Sequence, residues 1–329
     1  MTADREAGQR DEMLIERLRG GAGQFVSGTE LAGLLGVSRA AVGKRVLGLR
    51  NRGWEIEAVP NRGYRLIGEA DSLQPEQVTP LLNTRWLGRL YLPHEELGST
   101  SETAASMARE GAPHGTVVLA DAQTAGRGRL GRSWFSPAGV NLYVSAILRP
   151  AMEPAVAPLL SLAAAVGVAS GIRGFVGRPP TARWPNDLLY DGRKLCGILL
   201  EMQGADRKPP CVIVGVGLNV NATHFPDELQ PTATSLQLQR GESVRRSAVL
   251  ASVLNSLEEW FDRLLEQGAP AIIAAWTDLA DWIGQTIAVT LPEGRLEGVA
   301  LGLGPDGALR LRTADGQERH LLSGVVQLL

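Results

Sequence analysis

Apolar positions recur at helical spacing through the first fifty residues. Met13, Leu14, Ile15 and Leu18 form an inward stripe that predicts a helix over Asp11–Arg19. Leu31, Leu34 and Leu35 predict a second over Thr29–Leu35, ended by the turn Gly36-Val37. Ser38 is a good N-cap for a third, Arg39–Arg52, whose inward stripe is Val42, Val46 and Leu49. Two strands follow, Trp54–Val59 and Tyr64–Ile67, joined by Pro60-Asn61-Arg62-Gly63. Three helices and a β-hairpin in this order predict a winged helix-turn-helix.

Beyond a polar stretch at 68–82, the pattern mixes strands and helices. A helix runs from Gly98-Ser99-Thr100-Ser101-Glu102 to about Arg109, with Ser99 and Glu102 at capping-box spacing. Strands are predicted at Thr116–Ala120, Asn141–Leu148 and Cys211–Val216. Asp191-Gly192 between two apolar runs predicts a hairpin that leaves Lys194 at the start of its second strand. The long uncharged run Pro154–Ile172 reads as a buried helix over about Val156–Phe175, not as a membrane span. Helices follow at Ser247–Gln267 and Pro270–Trp282. Five short strands then close the chain: Thr286–Leu291, Arg295–Leu303, Ala308–Thr313, Glu318–Leu322 and Val325–Leu328. The class is α+β with a largely antiparallel or mixed sheet.

Composition narrows the function. With 44% hydrophobic and 21% charged residues the chain is an ordinary globular protein. Cys196 and Cys211 cannot build a disulfide framework, and no signal peptide is visible, so a cytoplasmic protein is expected. His94, His114, His224 and His320 show no metal-ligand spacing. The net charge of −2 excludes polyanion binding by bulk electrostatics. Charge is local instead. Between Gly36 and Leu66 there are seven basic residues (Arg39, Lys44, Arg45, Arg50, Arg52, Arg62, Arg65) against Glu55 and Glu57. Such a cluster is an electrostatic footprint for phosphates, and Ser38, Arg39, Lys44, Arg45 and Arg62 are the candidate DNA contacts. A helical protein-interaction domain with a solvated basic face is the alternative.

The loop Gly126-Arg127-Gly128-Arg129-Leu130-Gly131-Arg132 has the G-x-G-x-x-G spacing of dinucleotide sites, but a strand follows it, not a helix. Glycine-rich backbone and forked guanidinium donors suit anions. Mutual repulsion predicts that the loop is ordered only around an anion, and a solvated surface loop is the alternative. Of 33 basic residues only Lys44, Lys194 and Lys208 are lysines, so a lysine kept beside the Trp184-Pro185-Asn186-Asp187 segment stands out.

These segments occur in order. Ser-Thr at 99–100, Gln123, the Gly-Arg loop at 126–132, Trp-Pro-Asn-Asp at 184–187, Arg193–Glu201 and Gly-Val-Gly-Leu-Asn at 215–219 together resemble the biotin protein ligases. With the N-terminal module the chain resembles their bifunctional type, which also represses transcription. The resemblance implies a winged helix-turn-helix at 1–67, a linker at 68–82, a central mixed α/β, class II synthetase-like ligase domain at 83–283 and a small SH3-like β-barrel at 284–329. It implies that biotin and MgATP form biotinyl-5′-AMP, from which a lysine of a biotin carboxyl carrier protein (acetyl-CoA carboxylase) takes the biotin. It further implies biotinyl-5′-AMP as corepressor, operator DNA as partner, a ligand-promoted homodimer and no membrane. Biotin contacts would come from Ser99, Thr100, Ser101, Gln123, Arg127, Gly128, Arg129, Lys194 and Gly197, with Lys194, Arg127 and Arg129 catalytic. Nucleotide contacts would come from Arg129, Arg132, Trp134, Arg183, Asn186 and Asn219, and Asp187 would meet Mg²⁺. The chain departs from that pattern at Ser101, where asparagine is usual, and at Arg183, where lysine is usual. A ligand-sensing transcription factor with an inactive ligase domain and a lipoate ligase are the rival readings.

Overall fold

The computed structural model describes residues 2–21, 23–51, 54–68, 71–150, 157–203 and 211–329. Arg52, Lys208 and the start of the apolar run at 154–156 lie outside them. The chain divides into two compact units, Met1–Pro80 and Leu81–Leu329.

The first unit contains α1 (Thr2–Gly20), α2 (Gly28–Leu35), α3 (Arg39–Asn51), the hairpin β1 (Glu55–Val59) and β2 (Gly63–Gly68), and the short α4 (Pro75–Val78). Its core joins Leu14 and Leu18 of α1, Leu31 and Leu35 of α2, Val42, Val46 and Leu49 of α3, and Trp54 and Ile56. Ser27 Oγ accepts the Glu30 amide to start α2, and Gly36 at φ 62° ends it. Ser38 Oγ accepts the Ala41 amide at 3.2 Å and so starts α3 as expected. The hairpin is fastened below. Val26 and Tyr64 exchange backbone hydrogen bonds at 2.8 and 2.9 Å. A Cβ at Gly63 would stand 2.1 Å from the Val26 carbonyl oxygen, at a φ of 105°, so this turn requires glycine.

Three sequence expectations fail in this unit. Met13 and Leu34 were expected inward but are 40% and 42% exposed. Leu31 and Leu35, one turn apart, already fill the narrow contact face of the eight-residue α2, so Leu34 turns away. Arg45 was expected on the outer face of α3. It pairs instead with Asp11 of α1 at 2.7 Å, with its side chain 20% exposed.

The second unit is built on a seven-stranded sheet of order β3-β4-β5-β9-β8-β7-β6, comprising β3 (Tyr91–Leu97), β4 (Val117–Gln123), β5 (Leu142–Leu148), β6 (Thr181–Arg183), β7 (Asp187–Tyr190), β8 (Arg193–Gln203) and β9 (Cys211–Leu218). Only β3 and β4 run parallel, which makes the sheet mixed. The helices are α5 (Thr100–Arg109), α6 (Pro158–Val176), α7 (Leu236–Arg240), α8 (Arg246–Gln267) and α9 (Ala269–Thr277). α6 is apolar and long enough to cross a membrane, yet most of it is buried inside this unit. Its Gly171 lets α8 approach, since a Cβ there would lie 2.7 Å from the Val253 Cα.

The C-terminal strands β10 (Thr286–Leu291), β11 (Gly294–Leu303), β12 (Leu309–Thr313), β13 (Glu318–Leu321) and β14 (Val325–Leu328) form an antiparallel sheet of order β13-β12-β11-β10-β14. The buried Trp184 donates Nε1–H to the Gly307 carbonyl at 3.0 Å, tying this sheet to the segment before β7. Trp282 donates likewise to Ala182 at 2.7 Å.

Candidate active site

A cavity of about 420 Å³ opens over the faces of β5, β8 and β9. Its lining includes Ser99–Ser101, Gln123, the loop 127–135, Arg183–Asp187, Lys194, Gly197, Asn219 and, from the C-terminal sheet, Gly324–Val326. The structure thus brings every expected ligase residue into one wall system.

One end is a neutral hydrogen-bond relay at the start of α5. The capping box expected of Ser99 and Glu102 does not form, because Ser99 makes no side-chain cap bond. Strand β4 passes the helix start and supplies the cap from afar. Gln123 Oε1 accepts from the Thr100 amide at 2.9 Å and from its hydroxyl at 3.1 Å. Ser145 Oγ donates to Thr100 Oγ1 at 2.9 Å, so Ser101, 3.0 Å from Ser145, is left as donor to it. Gln123 Nε2 reaches Ser136 Oγ at 2.9 Å. Every hydroxyl proton of the relay is therefore spent within it, and a polar ligand meets preset acceptor lone pairs and the second Nε2–H of Gln123. Ser101 serves this relay from a buried position.

The glycine-arginine loop closes on itself. Gly128 N–H donates to the Arg132 carbonyl at 2.7 Å, Trp134 N–H donates to that of Gly126 at 2.8 Å, and Leu130 adopts φ 56°. The repulsion expected among its arginines is relieved by separation. Arg127 turns outward to Glu102 at 3.2 Å and Glu201 at 3.5 Å. Arg129 turns inward, and its Nη1 donates to Asn186 Oδ1 at 3.1 Å. Arg132 stays exposed at the rim. Burial lowers the basicity of Arg129 and of Arg183 from the usual guanidinium value, and in both cases Asp187 opposes that loss.

Lys194 sits at the other end. Its Nζ lies 2.7 Å from Asp187 Oδ1 and 5.3 Å from the centre of the Trp134 ring. Its backbone N–H donates to the Thr232 carbonyl at 2.6 Å and its carbonyl accepts from the Thr234 N–H at 2.9 Å, which clamps the peptide. Asn186 is held by Nδ2 donation to Ile198 O at 2.7 Å. Asn219 differs from expectation. Its Nδ2 donates to Thr234 O at 3.0 Å and its Oδ1 accepts from Asn141 at 3.3 Å. Its amide therefore braces the cavity wall and leaves little for a nucleotide.

Sequence reasoning named Gly197 and Trp134 but missed that the indole seats on a glycine pair. Gly197 and Gly217 face each other across β8 and β9, and a Cβ on either would strike the Trp134 ring, at 2.9 and 2.5 Å. The period-two pattern Gly215-x-Gly217 was the available signal. Ser145, fully buried mid-strand, gave none. Among the described residues no group of three or more His, Cys, Asp or Glu could hold a metal ion.

In the first unit, Arg39 and Lys44 are exposed, Ser38 spends its hydroxyl on the cap, and Arg62 stacks over Phe25 at 4.2 Å. Arg65 stacks over the same ring at 4.7 Å and pairs with Glu57.

Three family models match this chain: the biotin/lipoate A/B protein ligase family over residues 97–219, an HTH domain over 10–65 and the biotin protein ligase C-terminal domain over 282–329. The bifunctional ligase/repressor BirA of Bacillus subtilis (strain 168) is 39% identical over 92% of this chain and 94% of its own length. The protein of the same name from Escherichia coli (strain K12) is 29% identical over 93% and 94%. A biotin protein ligase from Aquifex aeolicus, solved in complex with biotin and ATP, is 30% identical, with a TM-score of 0.64 over 72% of this chain and 97% of that one.

Proposed function

The chain belongs to the biotin protein ligase family in its bifunctional ligase/repressor form, and from that membership we propose how its residues divide the work. The protein joins biotin to ATP and passes the biotin to a carrier protein. Its N-terminal unit is a DNA-binding repressor module.

The observation that carries the site reading is a polarity gradient along one cavity. The Ser101–Ser145–Thr100–Gln123 relay is neutral and preset, which suits the uncharged ureido ring of biotin. Lys194, Arg129 and Arg183 gather at the other end, where the carboxylate of biotin would meet the α-phosphate of ATP. When the carboxylate attacks phosphorus, pyrophosphate leaves and biotinyl-5′-AMP remains. When a carrier lysine attacks the mixed anhydride, AMP leaves. Both steps gather negative charge on oxygens that fixed cations stabilise. Two such charges 4 Å apart interact by about 4 kcal/mol at an effective dielectric near 20. Lysine provides a compact charge on a mobile stem, whereas Arg129, locked on Asn186, provides a fixed one. Trp134, seated on Gly197 and Gly217, walls the cavity and keeps water from the adenylate.

Mg²⁺ enters with ATP as part of the substrate. A magnesium ion held mostly by phosphates needs only one or two protein carboxylates. Asp187, at the cavity and beside the Lys194 ammonium, is the carboxylate that fits. The repressor acts as a dimer on two half-sites, with biotinyl-5′-AMP as corepressor, in a cytoplasmic setting.

Mass spectrometry of a biotin-acceptor domain after incubation with the protein, ATP, Mg²⁺ and biotin tests the enzyme. One biotin per acceptor lysine is expected, and none from lipoate. An unmodified acceptor would leave the ligand-sensing, inactive reading. Gel-shift titration with and without biotin and ATP tests the repressor, and equal affinity in both conditions would reject ligand control.

A further inference from the structure

The inward face of α3 is settled by Val42, Val46 and Leu49, all nearly or fully buried. The opposite face is therefore the stripe Ala40, Lys44 and Leu47, at i, i+4 and i+7. Lys44 is exposed. Leu47 is 58% exposed, among the most exposed large apolar side chains of this unit. Its neighbour Gly48 meets nothing within 4 Å of a built Cβ, so Leu47 stands up from the helix as a lone knob. From Ala40 to Leu47 no residue carries an amide or a hydroxyl. Arg45 is engaged by Asp11, and Ser38 Oγ accepts the Ala41 amide.

A recognition helix lies in the major groove, where adenine is read by amides, guanine by paired donors and thymine by its methyl group. Between Ala40 and Leu47 the amide mode is missing and the outward cation is one lysine, with Arg39 a further exposed cation at the helix start. An exposed leucine costs solubility and stabilises nothing in its own unit. It matches the one apolar feature of the groove floor. The basic residues flanking it, Arg39 and Lys44, with Arg62 on the wing, commit the face to a polyanion and not to a protein surface.

We infer that Leu47 and Ala40 are the specificity determinants of α3 and read thymine methyl groups, so that the operator half-site is distinguished by apolar contact more than by hydrogen bonding. This rests on the repressor reading of the N-terminal unit.

The test removes methyl groups from DNA. The full chain, with biotin and ATP, is used to select duplexes from a random library. Affinity is then measured for the selected duplex and for copies in which one thymine at a time is replaced by deoxyuridine. That change deletes a methyl and keeps the base pair. The wild type is expected to lose about fourfold in affinity at one or two thymines per half-site, the value of one buried methyl. Leu47→Ala is expected to bind thymine and uracil duplexes alike at one of those positions. Because the uracil series needs no protein variant, it stands even if a substitution disturbs folding. Selected half-sites without thymine, uracil duplexes bound as well as thymine duplexes by the wild type, or an undiminished methyl effect in Leu47→Ala would each overturn the inference while leaving the repressor intact. Failure to select any duplex would overturn the repressor reading itself.

Discussion

Arg62 in the wing and Arg129 in the cavity loop carry the same guanidinium in different surroundings. Arg62 is exposed, with its guanidinium carbon 4.2 Å from the centre of the Phe25 ring. Arg129 is half-buried, bonded to Asn186, and made less basic by burial. A solvated cation attracts a polyanion from a distance, and salt weakens it within a Debye length of about 8 Å. A cation in a cavity acts only on atoms brought to it, in a poorly screened medium. The first unit therefore recognises a surface of charge, and the second stabilises charge that forms during a reaction.

The sharpest way to break this comparison is to remove the cavity cation. Lys194→Ala should cut biotin-dependent pyrophosphate exchange by about 10²–10³, the effect of deleting one preorganised electrostatic donor. Exchange at the wild-type rate in that variant would take Lys194 out of the chemistry. Salt should then separate the units. If the exposed Arg39, Lys44 and Arg62 of each protomer neutralise one phosphate apiece, the six contacts of the dimer lower DNA affinity by about 10³ between 50 and 200 mM salt. The exchange rate at saturating substrates should stay within about twofold over the same range, and parallel declines would refute the division.

A third test is geometric. Gly217→Ala places a Cβ within 2.5 Å of the Trp134 ring. The ring must leave its seat, and the KM for biotin should rise about tenfold, a loss of one well-packed contact, with DNA affinity in the absence of ligand unchanged. The smallest effect concerns pH. The first unit has no histidine, whereas His114 in the second stacks on Trp86 at 4.3 Å and accepts the Arg149 amide at Nδ1. Burial holds this imidazole below its ordinary 6.5, so the unfolded chain takes up a proton first. Stability from this site is full above pH 6.5 and is lost as pH falls toward the folded value. Thermal melts of the wild type should shift down between pH 7 and 5.5, and those of His114→Gln should shift less.

Local rules made much of this molecule legible. Ser38 as a cap, the Asp191-Gly192 hairpin and the five C-terminal strands all follow from neighbours in sequence. The segments that line the cavity were also named, through the resemblance of their ordered motifs to the biotin protein ligases. What was illegible depends on partners far away. Strand β3 carries Pro93, His94, Glu95 and Glu96 and looks like a loop, yet it holds an edge of the sheet against β4. Thr100 takes its cap from Gln123, twenty-three residues on. Arg45 is withdrawn from the outer face by Asp11, thirty-four residues back. In each case a tertiary contact outweighs the local pattern.

An indole wedged over two glycines, with an ammonium group 5.3 Å from its centre, is also an optical gauge. Its emission depends on whether that ammonium stays near or is drawn to an incoming carboxylate. The difference in emission between the wild type and Trp134→Phe would signal the filling of the cavity in real time, with no label attached.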